Sequence, residues 1–97
     1  MKWNVKQWVS DGYRASRAGL PAAYIYRSLR WPDYAGNSGA AYEVKYGGVS
    51  IALIRFEGKG ATLKTLAEAA RFPEIGTLDL VELALWVNKL RTASGLN

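Results

Sequence analysis

Two extended runs meet at a pair of glycines near the middle of the chain, and no other feature limits the fold as strongly. Residues 41–46 and 49–56 are rich in Tyr, Val, Ile and Phe, and only Gly47-Gly48 separates them. Adjacent residues able to take positive φ between extended runs predict a two-residue hairpin. Tyr42, Val44 and Tyr46 fall on one face of the first strand, with Glu43 and Lys45 on the other. The second strand, VSIALIRF, is apolar on both faces, the pattern of a central or covered strand.

Ninety-seven residues, 49 % of them apolar, predict one domain over 1–97 with a core that needs neither disulfide nor metal. Ahead of the hairpin, 3–10 reads as a short helix ending near Gly12, and 13–18 as a second helical piece ended by Gly19. Pro21 suits the first turn of a third helix through 22–29, which stops before Pro32. Residues 31–39 (WPDYAGNSG) are turn-forming throughout. After the hairpin, 57–60 is a loop and Thr62 caps a helix reaching Phe72. Thr77 opens the longest helix, 78–92. Its apolar set covers nearly the whole circumference, so it lies deep in a core or is shared with another chain. A homodimer through residues 77–92 is the expectation that follows.

The formal charge of the chain is +5, and the excess sits in its first third. Residues 1–31 carry Lys2, Lys6, Arg14, Arg17, Arg27 and Arg30 against Asp11 alone, whereas 32–97 is neutral. The same segment holds Trp3, Trp8, Tyr13, Tyr24, Tyr26 and Trp31. Cations interleaved with flat rings suit a polyanion with stackable bases. The chain has no cysteine and no histidine, which removes disulfides, thiolate zinc sites and imidazole acid–base chemistry. Its carboxylates are few and scattered, so no catalytic constellation, cofactor or metal is expected. The Gly58-Lys59-Gly60 loop precedes the expected helix, but a Walker A motif needs Gly-Lys-Ser/Thr and Gly60 follows Lys59. Trp3 to Val9 is too polar for a signal-peptide core, and no apolar run approaches the ~20 residues that span a bilayer. A cytoplasmic protein without a membrane partner is expected.

Residues 15–29, ASRAGLPAAYIYRSL, resemble a helix-turn-helix. Ala15 stands where the helices cross, Ala18 packs closely, Gly19 takes the turn, Leu20 follows it, and Ile25 anchors the second helix. The run is most similar to the tetracycline-repressor type, with Tyr26 and Leu29 at matching positions, although Arg14 and Ser28 depart from the pattern. A looser similarity to Mu-type winged-helix domains rests on Gly19-Leu20-Pro21, Trp31-Pro32 and the loop into Ala41. The resemblance implies an α+β domain with an N-terminal helix-turn-helix, a wing-like hairpin and two C-terminal helices. It implies that Ala22, Ala23, Tyr26, Arg27 and Arg30 face duplex DNA, with Lys2, Lys6, Arg14 and Arg17 on phosphates and Lys45 on the wing. The function implied is a small sequence-specific DNA-binding regulator or accessory factor of the phage or mobile-element type.

The residues also admit another reading. YIYRSLRW is equally a strand with its tyrosines on one face, giving a helix, a three-stranded antiparallel sheet and two helices. A strand there supports either an orphan α+β fold or a non-enzymatic inhibitor, such as a small phage antagonist that docks on a host defence or transcription complex through exposed aromatic and cationic side chains. A single-stranded nucleic-acid binder that stacks bases on Tyr42 and Tyr46 is a third expectation.

Overall fold

The computed structural model describes residues 3–28 and 40–95, with Ala40 described by its backbone only. Six antiparallel strands run in sequence order: β1 (Asn4–Val9), β2 (Gly12–Ser16), β3 (Ala23–Arg27), β4 (Ala40–Tyr46), β5 (Val49–Glu57) and β6 (Gly60–Thr65). A 3₁₀ turn over Ala67–Arg71 and one α-helix, α1 (Thr77–Ala93), complete the described chain.

This architecture corrects the expected one. Ala23–Arg27, expected inside a recognition helix, is a strand paired on one side with β2 and on the other with β4. Helix-turn-helix and winged-helix arrangements are therefore excluded, and the hairpin 41–56 is the middle of a sheet rather than a wing. The alternative of three strands and three helices falls short as well, because residues 4–9 and 12–16 are strands too. The helix expected over 62–72 is β6 followed by the 3₁₀ turn, so only one of the two C-terminal helices exists. The turn-forming stretch 31–39 lies outside the described residues.

Local chemistry explains the connections. The β4–β5 loop is Gly47-Gly48 with both residues at positive φ (61° and 85°), as a type I′ turn demands. A β-carbon on Gly47 would also lie 2.6 Å from the Phe72 ring, which packs edge-on against Tyr46. Between β2 and β3 the Leu20 amide donates to the Arg17 carbonyl (3.2 Å), and Gly19 takes φ 79° at the third position. That is the geometry of a type II turn, so the left-handed glycine is present but joins strands instead of helices.

One helix cannot cover six flat strands, because five spacings of ~4.8 Å make a sheet roughly 24 Å wide against a helix about 10 Å across. The sheet instead curls around α1, which touches β1 at one edge and both β5 and β6 at the other. Register shifts in β1 (between Gln7 and Val9) and β4 (between Val44 and Lys45) add twist to that curl. The concave face contributes Tyr13, Ala15, Ala23, Ile25, Tyr42, Val44, Ile54 and Phe56 to the core. From α1 come Leu80, Leu83, Ala84 and Val87, one helical stripe. Each large apolar side chain buried this way contributes about 1.5–3 kcal/mol.

Polar groups fasten the helix at both ends. The Asp79 carboxylate accepts from the Gly76 amide (2.8 Å) at the helix start, and the Trp3 indole N–H donates to the Asp79 carbonyl (2.9 Å). Arg91 is 1 % exposed; its Nε donates to the Tyr42 hydroxyl (3.0 Å), its Nη1 to Asn88 (2.9 Å), and it lies over the Phe56 ring. Tyr42 in turn donates to Asp11. Asp11 therefore reaches the buried guanidinium through a phenol rather than by direct contact. Among the described residues, no helix is long and apolar enough to cross a membrane.

Candidate functional site

Strand alternation gives the sheet a second, convex face, turned away from α1. Register places Lys6 opposite Arg14, Arg14 opposite Tyr24, and Tyr24 opposite Lys45, so four strands contribute one row of side chains across that face. Trp8, at the register shift of β1, lies over the row with its ring 5.0 Å from that of Tyr24. The indole remains 60 % exposed, unusual for the largest apolar side chain in a small domain. Arg14 donates to the Tyr24 hydroxyl (3.3 Å), and its guanidinium lies 5.9 Å from the ring centre. Asn4, Lys6, Gln7, Trp8, Arg14 and Ser16 enclose a shallow depression of about 180 Å³ beside the indole.

The electrostatics of the row are one-sided. Cations directly opposite each other across a ladder repel, and Lys6 faces Arg14. No ion pair to a carboxylate among the described residues neutralises Lys6, Arg14 or Lys45. Farther along the same face Glu43 is buried and accepts from Ser28 Oγ (2.8 Å), from Ser50 Oγ and from the Tyr26 hydroxyl (3.4 Å). Leu53 and Arg55 are buried on that side as well, which separates the open row on β1–β4 from the exposed Thr62 and Lys64 of β6.

The expected contact residues divide by strand parity. Lys6, Arg14, Tyr26 and Lys45 come together on the convex face. Arg27 belongs to the opposite parity, where it pairs with Asp11 (3.2 Å) and lies over the Tyr42 ring. Arg17 is withdrawn from solvent: its guanidinium is 2.7 Å from Asp79 and 4.3 Å from the Trp3 ring, and its side chain is 6 % exposed. Ala23 is core and Ala22 is half-buried ahead of β3, so neither is a base-contacting position. Lys2 and Arg30 lie outside the described residues. Tyr42 and Tyr46 are fully buried on the concave side and offer no stacking surface. Trp8 and Tyr24 escaped the list of expected contacts. Their signal is the alternation Asn4–Lys6–Trp8 followed by Asp11-Gly12, a strand-and-turn pattern in its own right.

The ionisable groups on the concave side hold the fold. Burial and the hydrogen bond to Asp11 push the Tyr42 phenol up to about 12. Burial, reinforced by the Asp11 charge, raises Tyr13, and burial with a hydrogen bond to Glu74 raises Tyr46. All three remain neutral phenols in any ordinary buffer. No three His, Cys, Asp or Glu side chains converge among the described residues to form a metal site. The convex row can therefore do two things chemically: attract anionic groups and present ring faces. Comparison of the chain with protein-family models, with curated proteins and with solved structures finds no match.

Proposed function

We propose that this chain is a non-catalytic nucleic-acid-binding domain that takes a single strand on the convex face of β1–β4. The observation that carries the reading is the row Lys6–Arg14–Tyr24–Lys45 capped by the exposed Trp8. Three cations without a carboxylate partner among the described residues suit three phosphates. An exposed indole beside a tyrosine suits an unstacked base, whose π-face any sequence supplies. A duplex hides its base faces, so the rings favour single strands over duplex DNA.

Fluorescence anisotropy with labelled oligo-dT and with a matched duplex tests the proposal. Binding to the single strand is expected to be tighter, and three phosphate contacts give a log–log salt slope of about −2. That slope corresponds to a roughly 20-fold loss between about 50 and 200 mM salt. Trp8→Ala removes a stacking partner worth ~1–3 kcal/mol, a loss of five-fold or more. Lys6→Ala and Arg14→Ala each flatten the salt slope by about 0.7. No binding at low salt, or equal affinity for Trp8→Ala and wild type, ends this reading.

A docking role on a host protein rests on the same residues, since Trp, Tyr and Arg dominate protein interfaces. It predicts that a captured protein is retained in excess oligonucleotide, whereas the nucleic-acid reading predicts none.

A further inference from the structure

The outer face of α1 is apolar in a way that the fold does not use. Leu80, Leu83, Ala84 and Val87 already fill the inward stripe. On the opposite side Leu78 is 84 % exposed and Leu85 54 %, with Val81 and Trp86 beside them. Leu78, Val81 and Leu85 follow a three-then-four spacing and so form a second stripe, which with Trp86 extends about 12 Å along the helix. Two charged residues share this face, Glu82 and Lys89, seven positions apart.

We propose that this face is a two-fold interface between copies of the chain, with the two α1 helices antiparallel and crossing between Leu85 and Trp86. A two-fold axis at that point sets residues whose numbers sum to 171 opposite each other. Leu85 then meets Trp86 of the second copy, and Leu78 meets Ala93. Glu82 meets Lys89, twice by symmetry. Parallel pairing would instead set Glu82 against Glu82 and Lys89 against Lys89, so the charges select the antiparallel arrangement. A groove of about 460 Å³ runs along the same face beside the β5–β6 turn, lined by Lys59, Glu82, Leu85, Trp86, Lys89 and Thr92 among others. The convex face of the sheet is on the far side of each copy, so pairing leaves it open.

Sedimentation velocity on the full chain, from about 5 to 500 µM, reads the association; an interface of one helix per copy is small and calls for a micromolar dimer. Leu85→Asp is expected to be monomeric throughout. Glu82→Lys alone and Lys89→Glu alone are each expected to weaken the dimer at least tenfold, and the double exchange to restore it. Glu82 also accepts a bond from the Trp3 amide (3.4 Å), so circular dichroism melts check that each variant is folded, and Lys89→Glu carries the test if Glu82→Lys is not. A wild-type chain that stays monomeric at 500 µM overturns the proposal, as does a dimer indifferent to Leu85→Asp or to Lys89→Glu. Oligonucleotide binding by the Leu85→Asp monomer reports separately on the convex face, so either proposal can fail alone.

Discussion

At the scale of single residues, a formal charge says little until its partner is known. Arg17 and Arg14 look alike in the sequence, three positions apart in a basic segment. One is locked between Asp79 and the Trp3 ring; the other stands on an open sheet beside another cation. Arg17→Ala is therefore expected to cost about 1–3 kcal/mol of stability in urea titrations and to leave oligonucleotide affinity unchanged. Arg14→Ala should do the reverse. Asp79 carries a pH signature of the same contact. The Gly76 amide first, and the Arg17 guanidinium after it, hold its carboxyl below the usual carboxylate range. A carboxylate depressed in the folded state stabilises the fold above the unfolded value near 4, and that stabilisation fades as pH falls through the depressed value. Melting temperatures of wild type and Asp79→Asn should differ at pH 7 and converge in acid. A constant gap down to pH 2.5 would show that the carboxylate's charge is not the source.

At the scale of elements, the central hairpin and the C-terminal helix were legible, and the segments flanking them were not. Gly47-Gly48 marks its hairpin because both glycines take the positive φ of a type I′ turn without steric cost. Gly19 was legible as a left-handed residue, yet a type II turn between strands and the turn of a helix pair ask the same of it. The flanking ASRA and AAYIYR segments mix alanine with aromatic and β-branched residues, so local propensity is balanced and sheet pairing decides. Residues 62–66 misled for a related reason: Leu63 and Leu66 fit a helical period, while β6 ends at Thr65 and sets Leu63 and Thr65 opposite Ile54 and Ala52 on the inner face. Asp11-Gly12 was the missed signal that would have opened the sheet at its first strand. Helix 78–92 was legible from length and period alone, and the structure extends it by one residue at each end. Substitution at Gly19 isolates the turn. Nothing lies within 4 Å of a β-carbon there, so Gly19→Ala meets only the backbone penalty, about 1 kcal/mol, and Gly19→Asn less. Urea midpoints in that order confirm the turn; equal midpoints for glycine and alanine would exclude a left-handed residue.

At the scale of the whole molecule, curling the sheet around one helix separates two surfaces that a flat sheet would have left alike. The concave side gathers Tyr13, Tyr42 and Tyr46 with Arg91 into the core, and the convex side keeps Trp8, Tyr24 and three cations in water. The candidate site was legible in part for that reason: composition placed aromatic and cationic residues together, but only strand parity tells which of them point outward. Alkaline titration reads this division directly. The phenols of Tyr13, Tyr42 and Tyr46 are all raised, with burial as the leading cause. The folded state thus holds those protons more tightly than the unfolded chain does. Stability should be complete below pH 10, where unfolded phenols begin to ionise, and should fall steadily as pH climbs towards 12, the value reached by Tyr42. Phenolate absorbance at 295 nm from these three rings should accordingly appear together with the loss of far-ultraviolet ellipticity. Tyr42→Phe should remove the Asp11 and Arg91 contacts, lowering stability at neutral pH while shrinking its alkaline decline. If every tyrosine ionised near pH 10 with the ellipticity intact, water would have to reach the concave side, and a sheet closed around α1 could not be the native arrangement.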